Sequence, residues 1–93
     1  MINAVRVMIG EREERIIVNV DDNMSNADIA EAVAHEVAKI EMSNDQAICW
    51  QVLTYVAPDD QYDYWALSFV AMISKGRSEL PIKTNVNCRF WII

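Results

Sequence analysis

Residues 25–42 read SNADIAEAVAHEVAKIEM, and the way this stretch folds decides how the rest of the chain is arranged. The Ser25 hydroxyl can accept a hydrogen bond from the backbone N–H of Asp28, whose carboxylate can reach back to the N–H of Ser25. That is a capping box with Asp in place of the usual Glu. Met24 and Ile29 have the spacing of a hydrophobic staple across the cap. Asp28 and Glu31 put negative charge near the positive end of the helix dipole. Ala27, Ala30, Ala32, Ala34 and Ala38 supply the highest helix propensity and lose no side-chain entropy. At about 100° per residue, Ile29, Val33, Val37 and Ile40 share one sector with Ala30 beside them, while Asp28, Glu31, His35 and Lys39 lie opposite. The stretch therefore predicts a helix with one packing face and one wet face.

His35 falls on the wet face, one turn after Glu31. A general base or a metal ligand would need partners. There is no second histidine, and the cysteines lie in other predicted elements, so nearby ligands are lacking. The expectation is an exposed histidine paired with Glu31.

Strands are predicted on either side of the helix. Residues 2–9 alternate, with Val5, Val7 and Ile9 on one face and Ala4, Arg6 and Met8 on the other. A polar turn over 10–14 leads to a β-branched strand over 15–20, and the two should pair as an antiparallel hairpin. Asp21, Asp22 and Asn23 break the strand before the helix cap. Beyond the helix, Ser43, Asn44 and Asp45 signal a loop. Residues 47–56 are rich in strand formers, and Pro58, Asp59, Asp60 and Gln61 carry turn chemistry. Residues 62–73 are apolar on both faces. They could be a helix capped by Asp59 or Asp60 and closed at Lys75-Gly76. A strand is preferred, because Tyr62, Tyr64, Trp65, Phe69, Val70 and Ile73 favour one. After a loop over 74–81, residues 82–92 alternate cleanly, with Ile82, Thr84, Val86, Cys88, Phe90 and Ile92 against Lys83, Asn85, Asn87, Arg89 and Trp91. The expected fold is α+β, a single domain over 1–93 with order β-β-α-β-β-β. It is a two-layer sandwich of one helix on a mainly antiparallel sheet.

Dimensions add two expectations. Strands of eleven or twelve residues would run ~36–40 Å, more than the compact diameter of a chain this size, so they must bend, bulge or project as a ribbon. One helix of ~27 Å covers one sheet face only. The remaining apolar surface should then mediate self-association into a homo-oligomer, with Tyr64, Val70, Met72 and Trp91 contributing.

With 93 residues, 53% of them apolar, two glycines and two prolines, the chain reads as one folded domain without long loops. The N-terminus lacks a signal-peptide pattern, and the longest apolar run is far short of the ~20 residues that span a bilayer. A cytoplasmic protein without membrane contact is expected. Cys49 and Cys88 are too few and too far apart for a disulfide framework or a C-x-x-C motif. They read as small buried hydrophobes, with a bridge open only if their strands are neighbours.

Motifs that carry chemistry are lacking. Gly10 and Gly76 cannot build a phosphate loop, and a nucleophile–histidine system would depend on outward-facing His35. Asp59, Asp60 and Asp63 lack the glycine and terminal Glu of a calcium loop and read as a solvated turn. No metal, no cofactor and no enzymatic activity are expected. The net charge of −6 opposes direct nucleic-acid binding, which rests on phosphate neutralisation. Trp50, Trp65 and Trp91 lie in predicted strands and read as core rather than as base-stacking platforms.

Charge is unevenly distributed. Residues 1–20 are balanced, residues 21–63 hold ten acids against Lys39 alone, and residues 64–93 hold four bases against Glu79. Solvation would account for an acidic coat. The functional reading is an acidic surface of Asp28, Glu31, Glu36, Asp59, Asp60 and Asp63 that steers onto a basic protein. Such a domain would be a non-enzymatic inhibitor that blocks a basic nucleic-acid-binding partner. By size and acidity it is analogous to phage-encoded antagonists of host nucleases, including anti-CRISPR and anti-restriction proteins. Two alternatives stand beside it: a self-associating assembly subunit using the apolar sheet face, and a small-molecule binder with a tryptophan-lined pocket between helix and sheet.

Overall fold

The computed structural model describes residues 2–41, 46–74 and 80–93. Its elements run β1 (Ile2–Ile9), β2 (Arg12–Asn19), α1 (Asn26–Glu41), β3 (Gln46–Val56), β4 (Trp65–Ser74) and β5 (Ile82–Ile92). The expected β-β-α-β-β-β order and the single helix on an antiparallel sheet are both present. The loops expected at 43–45 and around Lys75-Gly76 lie outside the described residues.

Two boundaries differ from the sequence reading, each for a local reason. β2 begins at Arg12, not Arg15, because the hairpin closes over two residues with Ile9 opposite Arg12. Gly10 takes φ +63° there, and no other described residue has positive φ. That is the pattern of a type II′ turn, whose twist suits the flanking strands. Residues 62–73 form a strand rather than a helix, but it starts only at Trp65. The Asp59 carboxylate accepts the backbone N–H groups of Gln61 (2.8 Å) and Tyr62 (3.0 Å). The Asp59 N–H in turn donates to the Tyr62 carbonyl at 3.0 Å. These bonds hold the chain in a turn through Tyr62, and pairing starts only after it.

The sheet order is β2-β1-β5-β4-β3, and every neighbouring pair is antiparallel. β2 and β3 therefore form opposite edges yet run in the same direction. α1, which joins them, approaches β3 most closely, then β2 and β4, while β1 and β5 stay further away. The sheet thus curves around the helix. Ala30, Ala34 and Ala38, all buried, let the edges come close, and Phe69 and Phe90 fill the deeper middle. Trp65 stacks on Phe90 with centroids 5.3 Å apart and planes 11° from parallel. Val5, Val7, Ile16, Val18, Val33, Val37, Leu67 and Val86 complete this core, each fully buried Val or Leu contributing about 1.5–3 kcal/mol.

The long edge strand β3 is shortened by bulges. Its register against β4 slips between Cys49 and Gln51 and again between Val52 and Thr54, leaving Trp50 and Leu53 as extra residues. Bulges bend and twist a strand and blunt an edge against stray pairing. This is the bending that the strand lengths demand. The molecule is still elongated, 46 × 26 × 21 Å.

Cys49 and Cys88 are both free. β4 lies between their strands, so the bridge left open by the sequence does not form. No helix among the described residues is long and apolar enough to cross a membrane.

Candidate interaction surfaces

The first surface is acidic. Because β2 and β3 run the same way, the β2–α1 turn, the start of α1 and the β3–β4 turn all sit at one end of the sheet. Asp21, Asp22, Asp28, Asp59, Asp60 and Asp63 are gathered there, all exposed. The capping box forms as read: the Asp28 N–H donates to Ser25 Oγ at 3.1 Å, and the Ser25 N–H donates to Asp28 Oδ2 at 3.3 Å. The Asp21 carboxylate accepts the Asn23 N–H at 2.9 Å and fixes the turn before the cap.

Of the six acids proposed from sequence as partner-binding, Asp28, Glu31, Asp59, Asp60 and Asp63 are exposed and Glu36 is half-buried. They do not form one compact site. Glu31 lies 3.7 Å from His35 Nε2, and Glu36 accepts from Lys39 Nζ at 3.3 Å. Asp28 and Asp59 are also tied into local backbone hydrogen bonds. Among the described residues, no three of His, Cys, Asp and Glu come together as a metal-ligand group.

The second surface is the sheet face turned away from the helix. Register places Arg6, Met8 and Glu13 of the hairpin on it, then Trp91, Arg89, Asn87, Asn85 and Lys83 of β5. Ala66, Ser68, Val70 and Met72 of β4 follow, and then Val56, Thr54, Gln51 and Ile48 of β3. Cations lie over its rings. The Arg6 guanidinium is 4.2 Å from the Trp91 ring centroid, Lys83 Nζ is 4.5 Å from Trp50, and the Arg89 guanidinium is 5.4 Å from Tyr64. Tyr64 also packs between Tyr62 (5.3 Å) and Trp91 (5.6 Å). Glu13, the one acid this register places on the face, is bound to Arg6 at 3.3 Å.

This arrangement corrects the reading of the tryptophans as core. Only Trp65 is buried, whereas Trp91 is half-buried on the outer face and Trp50 is 54% exposed. Trp50 follows Ile48 onto the outer face by alternation along β3 and meets Lys83 there, and the bulge beside it brings Gln51 to the same face. Of the residues expected at a self-association surface, Tyr64, Met72 and Trp91 are partly exposed. Val70 is only 8% exposed and already covered within the monomer.

The tryptophans do not come together between helix and sheet as the pocket reading expected: Trp50 and Trp91 lie on the outer face and Trp65 is stacked on Phe90 in the core. An open groove of about 460 Å³ beside α1 is lined by Ala27, Glu31, Val52, Leu53, Thr54 and Tyr55. The outer face carries a trough of about 440 Å³ crossing it from Met8 and Arg89 through Asn87, Ala66 and Ser68 to Thr54 and Val56.

Neither cysteine is poised for chemistry. Burial pushes the Cys88 thiol up to about 12. Cys49 is also raised, first by burial and then by the charge of Glu31, against a lowering hydrogen bond from the Gln51 backbone. A thiol held protonated is a poor nucleophile.

Sequence reading missed Arg6, Lys83 and Arg89 as members of one surface. The alternation of residues 82–92 already put Lys83, Arg89 and Trp91 on one side. Their neighbour Arg6 needed the β1–β5 pairing. No family model, curated protein or solved structure matches the chain.

Proposed function

We propose that this chain is a non-enzymatic protein-interaction domain whose acidic end and helix surface engage a basic protein. What supports this reading is one observation. Parallel edge strands bring the β2–α1 turn, the helix start and the β3–β4 turn to the same end of the sheet. Six aspartates separated by up to some forty positions thereby present one sign of charge. Such a surface raises encounter rates with a basic partner and acts within about 10 Å at 0.1 M salt. A phosphate-binding groove of a nucleic-acid enzyme has the complementary charge. The reading is thus of a small acidic antagonist of the anti-CRISPR or anti-restriction type, acting in the cytoplasm where such enzymes work.

The test is competition. CRISPR effectors and restriction endonucleases are titrated with the chain, and release of bound duplex DNA is followed by fluorescence anisotropy. Displacement by the wild type, and loss of it when Asp59, Asp60 and Asp63 are together replaced by Lys, supports the reading. Equal displacement by both proteins, or displacement by neither, overturns it.

A further inference from the structure

The acidic end also holds a small cavity with aromatic walls. We propose that this cavity takes a lysine or arginine side chain of the basic partner, with the cationic head set between the Tyr62 ring and the Asp59 carboxylate. The occupant's source rests on the acidic-surface reading, whereas the cavity's preference for a cation stands on its own geometry.

The cavity measures about 280 Å³ and lies at the β3–β4 turn, lined by Val56, Ala57, Asp59, Tyr62, Tyr64 and Ala66. Sites for drug-sized molecules begin near ~300 Å³, so this one has room for a single long side chain. Val56, Ala57 and Ala66 offer apolar surface to the methylene stem of such a chain, and its charged head then needs a partner. The turn supplies two. The Asp59 carboxylate accepts the N–H groups of Gln61 and Tyr62 through Oδ1. Among the described residues no hydrogen bond reaches its Oδ2. The same bonds fix the position of Tyr62.

The neighbouring rings show what Tyr62 lacks. Trp91, Tyr64 and Tyr62 form a file with successive centroids 5.6 and 5.3 Å apart. Arg6 lies 4.2 Å from the first ring and Arg89 lies 5.4 Å from the second. A cation within about 6 Å of a ring centroid is held by the ring quadrupole. Tyr62 ends the file, is 54% exposed, and carries no cation among the described residues. Arg89 lines the neighbouring trough rather than this cavity. Asp59, Asp60 and Asp63, all exposed, bracket Tyr62 in the chain and outweigh that one positive charge.

An apolar side chain is the competing occupant of a cavity with these walls. It would cover the Asp59 carboxylate without pairing it, and an unpaired charge is costly to desolvate. A cationic head pairs that charge as it enters.

NMR titration with capped single amino acids tests this without a partner. The probes are the acetylated methylamides of lysine, arginine and the neutral isostere norleucine. The proteins are wild type, Tyr62→Phe, Tyr62→Leu and Asp59→Asn, each checked for native far-UV circular dichroism. Asn keeps an oxygen for the Gln61 and Tyr62 N–H groups, so the turn outlasts the loss of charge. Saturable shifts at Tyr62, Tyr64 and Ala66 are expected with lysine or arginine, about threefold tighter or more than with norleucine. Tyr62→Phe should keep that preference, while Tyr62→Leu and Asp59→Asn should each weaken cation binding about threefold or more. Norleucine binding as tightly as lysine and arginine overturns the inference and makes the cavity an apolar pocket. Absence of saturable shifts with probe at about 0.1 M also overturns it, as does wild-type affinity in both weakened variants. DNA displacement that Tyr62→Leu and Asp59→Asn retain in full, but the triple lysine variant loses, overturns the cavity and spares the acidic surface. Cation selectivity without displacement from any enzyme supports the cavity and overturns the antagonist reading.

Discussion

The two faces of this sheet are made by the same strands and have opposite chemistry. Toward the helix, β5 presents Val86, Cys88 and Phe90, all buried, and on the other side Lys83, Asn85, Asn87 and Arg89, all exposed. β4 breaks this contrast. Its inner residues Trp65, Leu67, Phe69, Ala71 and Ile73 are buried as a core strand requires, yet its outer residues Ala66, Ser68, Val70 and Met72 are small or apolar rather than charged. The inner face is closed by the helix and determines stability. The outer face stays open, with small or apolar residues at positions where solubility alone would favour charge.

The largest effect should come from charging the inner seam. Val37 is fully buried on α1, and Val37→Asp places an unpaired carboxylate there, costing about 4 kcal/mol or more. Urea denaturation measures it, and a wild-type midpoint would mean that the helix packs by its other side. Next comes alkaline pH. Burial holds Cys88 up to about 12, well above the 9.0 of a free thiol. The unfolded chain therefore loses that proton first. The Cys88 contribution is intact below pH ~9 and declines, by up to ~1.4 kcal/mol per unit, as pH rises toward 12. Cys88→Val should remove this component of the alkaline slope in thermal melts and leave the neutral-pH slope alone. Ser25→Ala, which removes the acceptor for the Asp28 N–H, should cost about 1 kcal/mol. On the outer face, Asn87→Asp should shift the stability of the monomer by no more than ~0.5 kcal/mol.

Much of the fold is legible in residues 25–42 and 82–92 because each has one dominant period. Ser25 and Asp28 mark the helix start by local chemistry that needs no tertiary context. The alternation of 82–92 assigns every side chain of β5 to its observed face. The limits of such reading show at Trp50 and Arg6. Trp50 shares a face with Ile48 by alternation, but which face of β3 meets the helix follows from its pairing with β4 and not from β3 alone. Arg6 reaches Trp91 because β1 lies beside β5, a juxtaposition of residues 85 positions apart. The acidic end was visible only as an excess of charge over residues 21–63. Its concentration at one pole follows from the parallel direction of β2 and β3, which a linear charge count does not contain.

The division of the sheet into a closed face and an open face is tested most directly by acrylamide quenching of single-tryptophan variants. Trp65 alone, with Trp50 and Trp91 replaced by Phe, reports the inner face, and Trp50 alone reports the ridge. The account predicts that Trp65 is shielded from the quencher. Trp50 should be strongly quenched. Quenching of Trp65 to the same extent as Trp50 would contradict it.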